Sequence, residues 1–254
     1  MATKTTKTVK KTVKAKKTTS KNTAKKTYVA IVLDRSGSMG GLVKETVAGL
    51  NEQFAALRRD ADLGGETEVT LVQFDDRIDI ILDGQPAKEL VNWTDKDFQP
   101  RGMTAMYDAI WTAITNLKSK HETEDTGFLV CVISDGHENS SREITQPALS
   151  AEIKRLQDSG KWTFTYMLAN QDIHQAAATL GANINNVSSW TTTTAGAGIA
   201  YTSNAVGAAS YLGARNSGLR SVSNFYASAT PTVANIDPNS TAAPSTTTAN
   251  TQGK

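Results

Sequence analysis

Residues 29–40, with the sequence VAIVLDRSGSMG, join an apolar run to a polar loop. The unbroken β-branched run at residues 29–33 suits a strand that is buried on both faces. Asp34, Ser36 and Ser38 then alternate along the loop, so their oxygen atoms can point the same way from the carboxyl end of that strand. Three small oxygen donors in one place suit a hard divalent cation such as Mg²⁺. The same residues would also suit an ordinary polar turn in which Ser38 caps the next helix.

The two ends of the chain differ in composition from its middle. Residues 1–26 hold ten lysines and no acidic residue, and residues 228–254 are mostly Thr, Ala, Ser, Pro and Asn. Neither end can bury enough apolar surface to offset the entropy of ordering, so we expect both to be disordered. The remaining chain of about 200 residues is long enough for one domain with a sizeable core. We assign a domain to residues 27–190 and a helical extension to residues 191–227.

Strands and helices alternate along the middle of the chain. Apolar residues at helical spacing predict amphipathic helices, and short apolar or alternating runs predict strands. The predicted strands cover residues 29–33, 68–74, 77–82, 128–133, 162–168 and 183–187. The predicted helices cover residues 42–60, 87–92, 106–117, 147–158 and 171–180. This order predicts an α/β fold with a mostly parallel central sheet covered by helices on both faces.

The carboxyl edge of such a sheet is where ligands bind. Asp34 and Asp135 each follow an apolar strand directly, so both should project at that edge. Thr104, in the sequence Gly-Met-Thr-Ala, stands where a helix N-cap belongs. Taken one at a time, Thr104 is more simply a cap, and Asp135 before a glycine is more simply a turn residue.

Together, the segments Asp34-x-Ser36-x-Ser38, Thr104 and Asp135 resemble the von Willebrand factor type A domain. The metal-ion-dependent adhesion site of that family pairs an Asp-x-Ser-x-Ser loop with a distant Thr and a distant Asp. All five positions are filled in this sequence without departure. The coincidence of the five favours a metal site over five separate turn or cap residues.

The resemblance covers residues 27–190 and implies a doubly wound, Rossmann-like fold with one antiparallel edge strand at residues 77–82. It also implies a Mg²⁺ ion, or Mn²⁺, at the upper edge of the sheet. In the family pattern, the positions of Ser36, Ser38 and Thr104 bind the metal directly. The two aspartates bind it directly or through water.

The donor set indicates how such an ion would be used. Three of the five donors are neutral hydroxyls, so a cation held by them should attract one more carboxylate by plain electrostatics. A partner protein that presents an Asp or Glu would supply it. We therefore expect a non-enzymatic, Mg²⁺-dependent protein-binding module that can form part of a larger assembly.

Two neighbouring loops have simpler interpretations. His137, Glu138 and Asn139 can touch the outer shell of the metal or a partner, although such loops are more often only solvated. Asp75 and Asp76 lie on the same rim if the hairpin is placed correctly, and we interpret them as turn residues.

An enzyme is a weaker alternative. Phosphatases with an aspartyl nucleophile need a second carboxylate where this chain has Ser36, and no position for their catalytic Lys is evident. The sequence has no phosphate-binding loop and no nucleophile elbow. A bound ion can lower the pKa of a water molecule, but no general base is positioned by the sequence.

A role with nucleic acid or another polyanion is the second alternative. The ten lysines of residues 1–26 can bind phosphate in a salt-sensitive way. The arm has no aromatic residue for stacking on bases and no Arg for bidentate base contacts, so such binding should be weak and unspecific. A solubilising arm is an equally good interpretation.

The sequence also allows predictions about self-association and cellular location. Residues 196–215 are rich in Gly, Ala and Ser, and can form a helix that packs on the domain or on another copy of the chain. No apolar run of about 18 residues exists, so no membrane span is expected. No signal-type apolar segment follows the basic N-terminus, which favours a cytoplasmic protein. Cys131 is the only cysteine, so no intrachain disulfide can form.

Overall fold

The computed structural model describes residues 25–227, and a sheet with helices on both faces forms its centre. The six strands of this part of the chain are β1 Lys26–Asp34, β2 Glu66–Phe74, β3 Ile78–Pro86, β4 Gly127–Ser134, β5 Trp162–Ala169 and β6 Val187–Trp190. Its five α-helices are α1 Val43–Asp62, α2 Met106–Lys118, α3 Gln146–Asp158, α4 Ile173–Leu180 and α5 Thr194–Asn216. Short 3-10 turns cover Gly37–Leu42, Ala87–Glu89 and Ile184–Asn186.

The strand order is β3-β2-β1-β4-β5-β6, and β1 lies in the middle of the sheet. All neighbouring pairs are parallel except β2 and β3, which are antiparallel. Ile31 of β1 pairs with Leu71 on one side and with Cys131 on the other. The predicted fold class, a doubly wound and mostly parallel sheet with one antiparallel edge strand, is confirmed.

Two core clusters lie on the two faces of the sheet because side chains alternate along each strand. In β1, Val29, Ile31 and Leu33 belong to the cluster beneath α1 and α5. Ala30 and Val32 belong to the cluster beneath α2, α3 and α4. Every residue of β1 after Lys26 is buried, as the continuous apolar run predicts.

Helix α5 forms within the segment that is rich in small residues and packs on α1 of the same chain. Tyr201 and Tyr211 are fully buried on its inner face, and the Tyr201 hydroxyl donates to Thr46 Oγ1 at 3.1 Å. Gly49 of α1 makes room for Tyr201, since a Cβ there would lie 2.2 Å from the ring. The inner face of α5 is thus used within the domain, and self-association through residues 196–215 stays a prediction.

Two predicted strand boundaries are wrong in ways that have a local cause. The strand predicted to end at residue 82 continues to Pro86 in β3. An irregular register against β2 and a positive φ of 66° at Gly84 allow the pairing to continue. The predicted strand at residues 183–187 begins only at Val187. The residues before it form a 3-10 turn, in which the Asn183 side chain accepts from Asn185 N.

The prediction that Thr104 caps α2 is also wrong. The N-cap of α2 is Ala105, and its own side chain makes no capping hydrogen bond. The predicted helix at residues 87–92 is only the 3-10 turn Ala87–Glu89. Because Thr104 does not cap α2, its hydroxyl is available to another partner.

Several predictions concern residues beyond the described range. The basic arm, apart from its last two residues, and the tail at residues 228–254 lie outside residues 25–227. Their predicted disorder and the nucleic-acid role of the arm are therefore not addressed by the structure. Among the helices of the described range, none is long and apolar enough to cross a membrane.

Candidate functional site at the carboxyl edge of the sheet

The loop after β1 carries the first three predicted site residues. Asp34 ends the strand and is fully buried. The backbone N–H of Ser36 donates to Asp34 Oδ1 at 2.6 Å, which folds the loop back over the carboxylate. The hydroxyl oxygens of Ser36 and Ser38 lie 3.0 Å apart. These three side chains therefore face the same region, as their alternation predicts.

The loop after β4 brings in the second aspartate. The Ser38 hydroxyl donates to Asp135 Oδ1 at 2.6 Å, across 97 positions of sequence. Ser134, the last residue of β4, donates its hydroxyl to Asp34 Oδ2 at 2.6 Å. Because β1 and β4 are neighbouring parallel strands, both aspartates leave the sheet at the same edge.

Thr104 reaches this edge from the loop before α2. A Cβ added at Gly136 would lie 3.0 Å from Thr104 Oγ1 and 3.6 Å from Asp34 Oδ2, so both oxygens surround the same small space. The Thr104 side chain is buried, yet its hydroxyl makes no hydrogen bond within the described residues. The structure thus brings together all five residues that the sequence singled out.

The candidate site contains two carboxylates, those of Asp34 and Asp135, and no basic side chain pairs with either of them in the described part of the chain. Burial raises the pKa of Asp34 to about 6, although hydrogen bonds from Ser134 and Ser36 oppose the shift. Burial also raises the pKa of Asp135 against the hydrogen bond from Ser38. In residues 25–227, no Lys, Arg or His forms a salt bridge with either carboxylate. A buried carboxylate without a compensating charge is costly, and a cation would remove that cost.

The donor set restricts the kind of cation that the site could hold. Nowhere in residues 25–227 do three or more His, Cys, Asp and Glu residues form a group that could hold a metal ion. A cation at this edge would therefore depend on hydroxyl oxygens in addition to the two carboxylates. All-oxygen ligation of this kind suits hard cations such as Mg²⁺ rather than zinc.

A buried ion pair that sequence analysis missed holds the loop after β1 in place. Arg35 Nε donates to Asp75 Oδ2 at 3.0 Å, and Arg101 Nε donates to the same oxygen at 2.9 Å. Asp75 lies in the turn between β2 and β3, as interpreted, and its Oδ1 accepts from Arg77 N at 2.7 Å, but its completely buried carboxylate has the further role of binding both arginines. Burial opposes ionisation of Asp75, but hydrogen bonds from Arg101, Arg77 N and Arg35 together lower its pKa.

The same arginines connect the first loop to the loop that carries Thr104. Arg101 N donates to the Arg35 carbonyl at 2.7 Å, and Gly37 N donates to the Gly102 carbonyl at 3.2 Å. The sequence gives little indication of this connection between the loops. It shows only that Arg35 lies inside the Asp-x-Ser-x-Ser loop and that Asp75 follows β2. Which acid Arg35 pairs with depends on the strand order.

The loop at residues 137–139 has a structural role that the sequence did not reveal. The Glu138 carboxylate accepts hydrogen bonds from three backbone N–H groups, which belong to Tyr107, Ser140 and Ser141. Asn139 Oδ1 accepts from Thr104 N at 2.9 Å, and Asn139 N donates to the Thr104 carbonyl at 3.0 Å. Asn139 thus fixes the backbone of Thr104, while the side chain of His137 is exposed.

The fold and the site define a class of protein: a doubly wound α/β domain with hydroxyl and carboxylate oxygens gathered at the carboxyl edge of its sheet. Residues 29–204, more than half of the chain, match the von Willebrand factor type A domain family. The chain belongs to that family. Domains of this family are generally non-enzymatic modules that mediate protein–protein interactions. No curated protein sequence gives a significant match to this chain.

Solved structures share the fold at low sequence identity. The von Willebrand factor domain of the type V pilus tip protein Mfa5 from Porphyromonas gingivalis is 11% identical, with a TM-score of 0.55 over 72% of this chain and 94% of that one. The pilus adhesin SpaC from Lactobacillus rhamnosus GG is 15% identical, with a TM-score of 0.56 over 74% of this chain and 30% of that one. Proximal thread matrix protein 1 from the mussel byssus is 13% identical, with a TM-score of 0.50 over 70% of this chain and 45% of that one. At these identities the likeness concerns the fold alone.

Proposed function

We propose that this protein is a Mg²⁺-dependent protein-binding module of the metal-ion-dependent adhesion site type. The observation that carries the proposal is the meeting of five side-chain oxygen donors from three loops at one edge of the sheet. Ser36, Ser38 and Thr104 would hold the metal through their hydroxyls. Asp34 and Asp135 would hold it directly or through water.

The chemistry of the residues fits such an ion. Asp34 is buried, and no Lys, Arg or His of the described residues forms a salt bridge with it. A buried carboxylate without a compensating charge is unfavourable, and a cation would relieve that cost. Gly136 leaves open the space between Thr104 Oγ1 and Asp34 Oδ2, which any larger residue would enter. The Thr104 hydroxyl makes no hydrogen bond within the described residues, so it is available to such a cation.

The partner would contribute a carboxylate. Mg²⁺ prefers six oxygen ligands and readily keeps waters, so a bound ion would present positions that an Asp or Glu of another protein can take. Ser38 is exposed and Asp135 is half-buried, so this part of the site is open to a partner. The protein's own residues would orient the partner, because the three loops are fixed to one another by Arg35, Arg101 and Asn139.

The first experiment measures metal binding directly. Mn²⁺ is titrated into the full-length protein and its free concentration is followed by electron paramagnetic resonance, with Mg²⁺ as competitor. Thr104→Val and Asp135→Asn are expected to weaken Mn²⁺ binding by about tenfold or more, since each removes one ligand. Thr145→Val is the control, because Thr145 is exposed and its side chain caps nothing. Wild-type protein that binds no Mn²⁺ and no Mg²⁺ would end the proposal.

The second experiment asks whether a partner depends on the metal. Partners are captured on the immobilised full-length chain in Mg²⁺, identified, purified and measured again in Mg²⁺ and in EDTA. A partner whose affinity falls in EDTA and with Asp135→Ala, and falls again when one of its own acidic residues is replaced, supports the proposal. An affinity that EDTA leaves unchanged contradicts it.

The nucleic-acid role of the basic arm and the cytoplasmic location remain predictions. Binding of nucleic acid would depend on residues 1–26, and no observation in the described part of the chain favours it. Binding of nucleic acid is separable from the metal-dependent function by removing residues 1–24, which leaves every described residue in place.

A further inference from the structure

A cavity of about 320 Å³ lies beside the candidate metal site, between the start of α2 and helix α4. Its size is that of a small ligand pocket, enough for one long side chain. Its lining includes Tyr107, His137, Glu138, Gln171, Asp172 and Gln175.

The cavity and the metal site share a loop. Gln171 Nε2 donates to the Gly136 carbonyl at 3.0 Å, and Gly136 follows Asp135 directly. His137, two residues beyond Asp135, already lines the cavity. Two residues of extended chain span at most roughly 7 Å, so a partner that touches the metal site lies within reach of the cavity.

The charge of the cavity is negative. Glu138 and Asp172 line it, whereas no Lys or Arg does. Neither carboxylate forms a salt bridge with any residue between 25 and 227. Both are held in place by hydrogen bonds. Asp172 caps α4 by accepting from Gln175 N at 2.8 Å. Glu138 accepts from the backbone N–H of Tyr107 in the first turn of α2, and from Ser140 N, Ser141 N and the Ser141 hydroxyl in its own loop. The two charges are thus fixed at the cavity without a neutralising cation.

An aromatic ring adds to this preference for a cation. Tyr107 lines the same cavity and is half-buried. Burial raises the pKa of its hydroxyl, and the negative charge of Glu138 raises it further. The Glu138 carboxylate is therefore close enough to Tyr107 for the two to interact electrostatically. The face of a tyrosine ring attracts the ammonium of Lys and, more often, the guanidinium of Arg.

We propose that this cavity receives an Arg or Lys side chain of the same partner that gives its Asp or Glu to the metal site. The proposal rests on the proposed function and adds to it that the recognised segment carries an acidic and a basic residue close together. Within roughly 7 Å an extended peptide advances about two residues, so we expect the two to be within three positions of each other. An acidic side chain would be repelled by Glu138 and Asp172, which gives the surface its selectivity.

The test uses fluorescent peptides of Gly and Ser that carry one Glu and one Arg, separated by zero to three residues. Matched peptides carry citrulline, a neutral analogue, in place of Arg. Binding to the full-length protein is measured by fluorescence anisotropy in Mg²⁺. At the best spacing the Arg peptide is expected to bind about fivefold tighter than its citrulline match, the gain typical of one partly exposed charge contact.

Two variants remove the preference without removing the fold. Asp172→Asn keeps an oxygen that can cap α4 while it removes the charge. Gln175→Lys places a cation in the cavity from an exposed position of α4. Both should bring the ratio of the Arg and citrulline affinities close to one. Asp158→Asn, an exposed change at the far end of α3, should leave the ratio as in the wild type.

The outcomes separate this inference from the proposed function. Peptides that bind in Mg²⁺ and are lost in EDTA, with Arg and citrulline equal, overturn the basic subsite alone. Failure of Mn²⁺ and Mg²⁺ to bind overturns the proposed function. If the metal binds but no peptide does, N-acetyl-arginine amide and N-acetyl-citrulline amide are titrated separately, with NMR shifts as the readout. Shifts centred on Gln171 and Gln175 for the Arg compound alone support the subsite, and their absence overturns it.

Discussion

Asp34 is the residue on which the site depends most, because its burial and its charge oppose each other. Its side chain is fully buried, and its hydrogen bonds come from neutral donors, the Ser36 N–H and the Ser134 hydroxyl. Burial favours the protonated form and outweighs these hydrogen bonds, which lower the pKa, so the pKa of Asp34 rises to about 6. A cation bound there would remove the cost of the buried charge, which is consistent with the proposed function.

This cost predicts a pH-dependent effect of Asp34→Asn in metal-free protein. The folded pKa lies above the unfolded value of 3.8, so the native state binds the proton more tightly and gains stability as the pH falls through about 6. At pH 8 the neutral variant should unfold with a free energy roughly 1–3 kcal/mol higher than the wild type. At pH 4 the gain should vanish. Urea unfolding in EDTA at both pH values measures it, and a variant less stable than the wild type at pH 8 would contradict the argument.

Gly136 offers a test of the proposed metal site that leaves all five candidate ligands unchanged. An alanine Cβ would lie 3.0 Å from Thr104 Oγ1, in the space between that oxygen and Asp34 Oδ2. Gly136→Ala should therefore weaken Mn²⁺ binding by about tenfold, in the range seen for changes around metal ligands. The free energy of unfolding should change by less than about 1 kcal/mol.

Gly40→Ala is the matched control for this prediction. It lies in the same loop region, but a Cβ there has nothing within 4 Å. It should bind Mn²⁺ as the wild type does. Equal Mn²⁺ affinity of the Gly136→Ala variant and the wild type would show that the space is not part of the site.

At the scale of elements, the packing of α5 on α1 covers one face of the sheet. Tyr201 enters the space above Gly49, and Asn204 Nδ2 donates to Gln53 Oε1 at 3.1 Å in the buried interface. At the end of α5, the buried Arg215 donates to Thr27 Oγ1 at 3.1 Å and thereby ties the helix to β1. The helix is fixed at several points along its length, so it belongs to the core rather than to a loose extension.

Close packing between these helices predicts opposite effects of two glycine substitutions. Gly49→Ala places a methyl group 2.2 Å from the Tyr201 ring and should lower the free energy of unfolding by about 1–3 kcal/mol. Gly198→Ala, on the exposed side of α5 with nothing within 4 Å, should raise it by about 0.5–1 kcal/mol through helix propensity. Thermal and urea unfolding of both variants measure this. A neutral Gly49→Ala would mean that the two helices separate easily.

At the scale of the whole molecule, the doubly wound topology turns three distant loops into one site. The carboxyl ends of β1 and β4 are neighbours, and the loop before α2 joins them there through backbone hydrogen bonds from Arg101 to Arg35 and from Gly37 to Gly102. Ion pairs from Arg35 and Arg101 to Asp75 then fix the loop after β1 against the loop before α2. The sheet therefore positions the five candidate site residues at one edge.

The same topology predicts how far the folding unit extends. We propose that it reaches past the predicted boundary at residue 190, because α5 covers the cluster that contains Val29, Ile31 and Leu33. A chain that ends at Trp190 should lose cooperative unfolding, measured by circular dichroism, or aggregate in size-exclusion chromatography with light scattering. A chain that ends at Ala227 keeps every described contact and serves as control. A folded, monomeric chain ending at Trp190 would restore the shorter boundary.

The sequence by itself determined the fold class and brought the five site residues into one hypothesis. Continuous apolar runs specify buried parallel strands, and the polar residues that follow such strands must lie at one edge. It failed where the decisive contacts are distant in sequence. The burial of Asp75 beside Arg35, the capping of backbone N–H groups by Glu138, and the end of β3 depend on neighbours that only the strand order supplies. The local sequence pattern predicts whether a residue is buried or exposed. The role of a charged residue or a glycine depends on its neighbours in the folded chain, and these are known only from the tertiary structure.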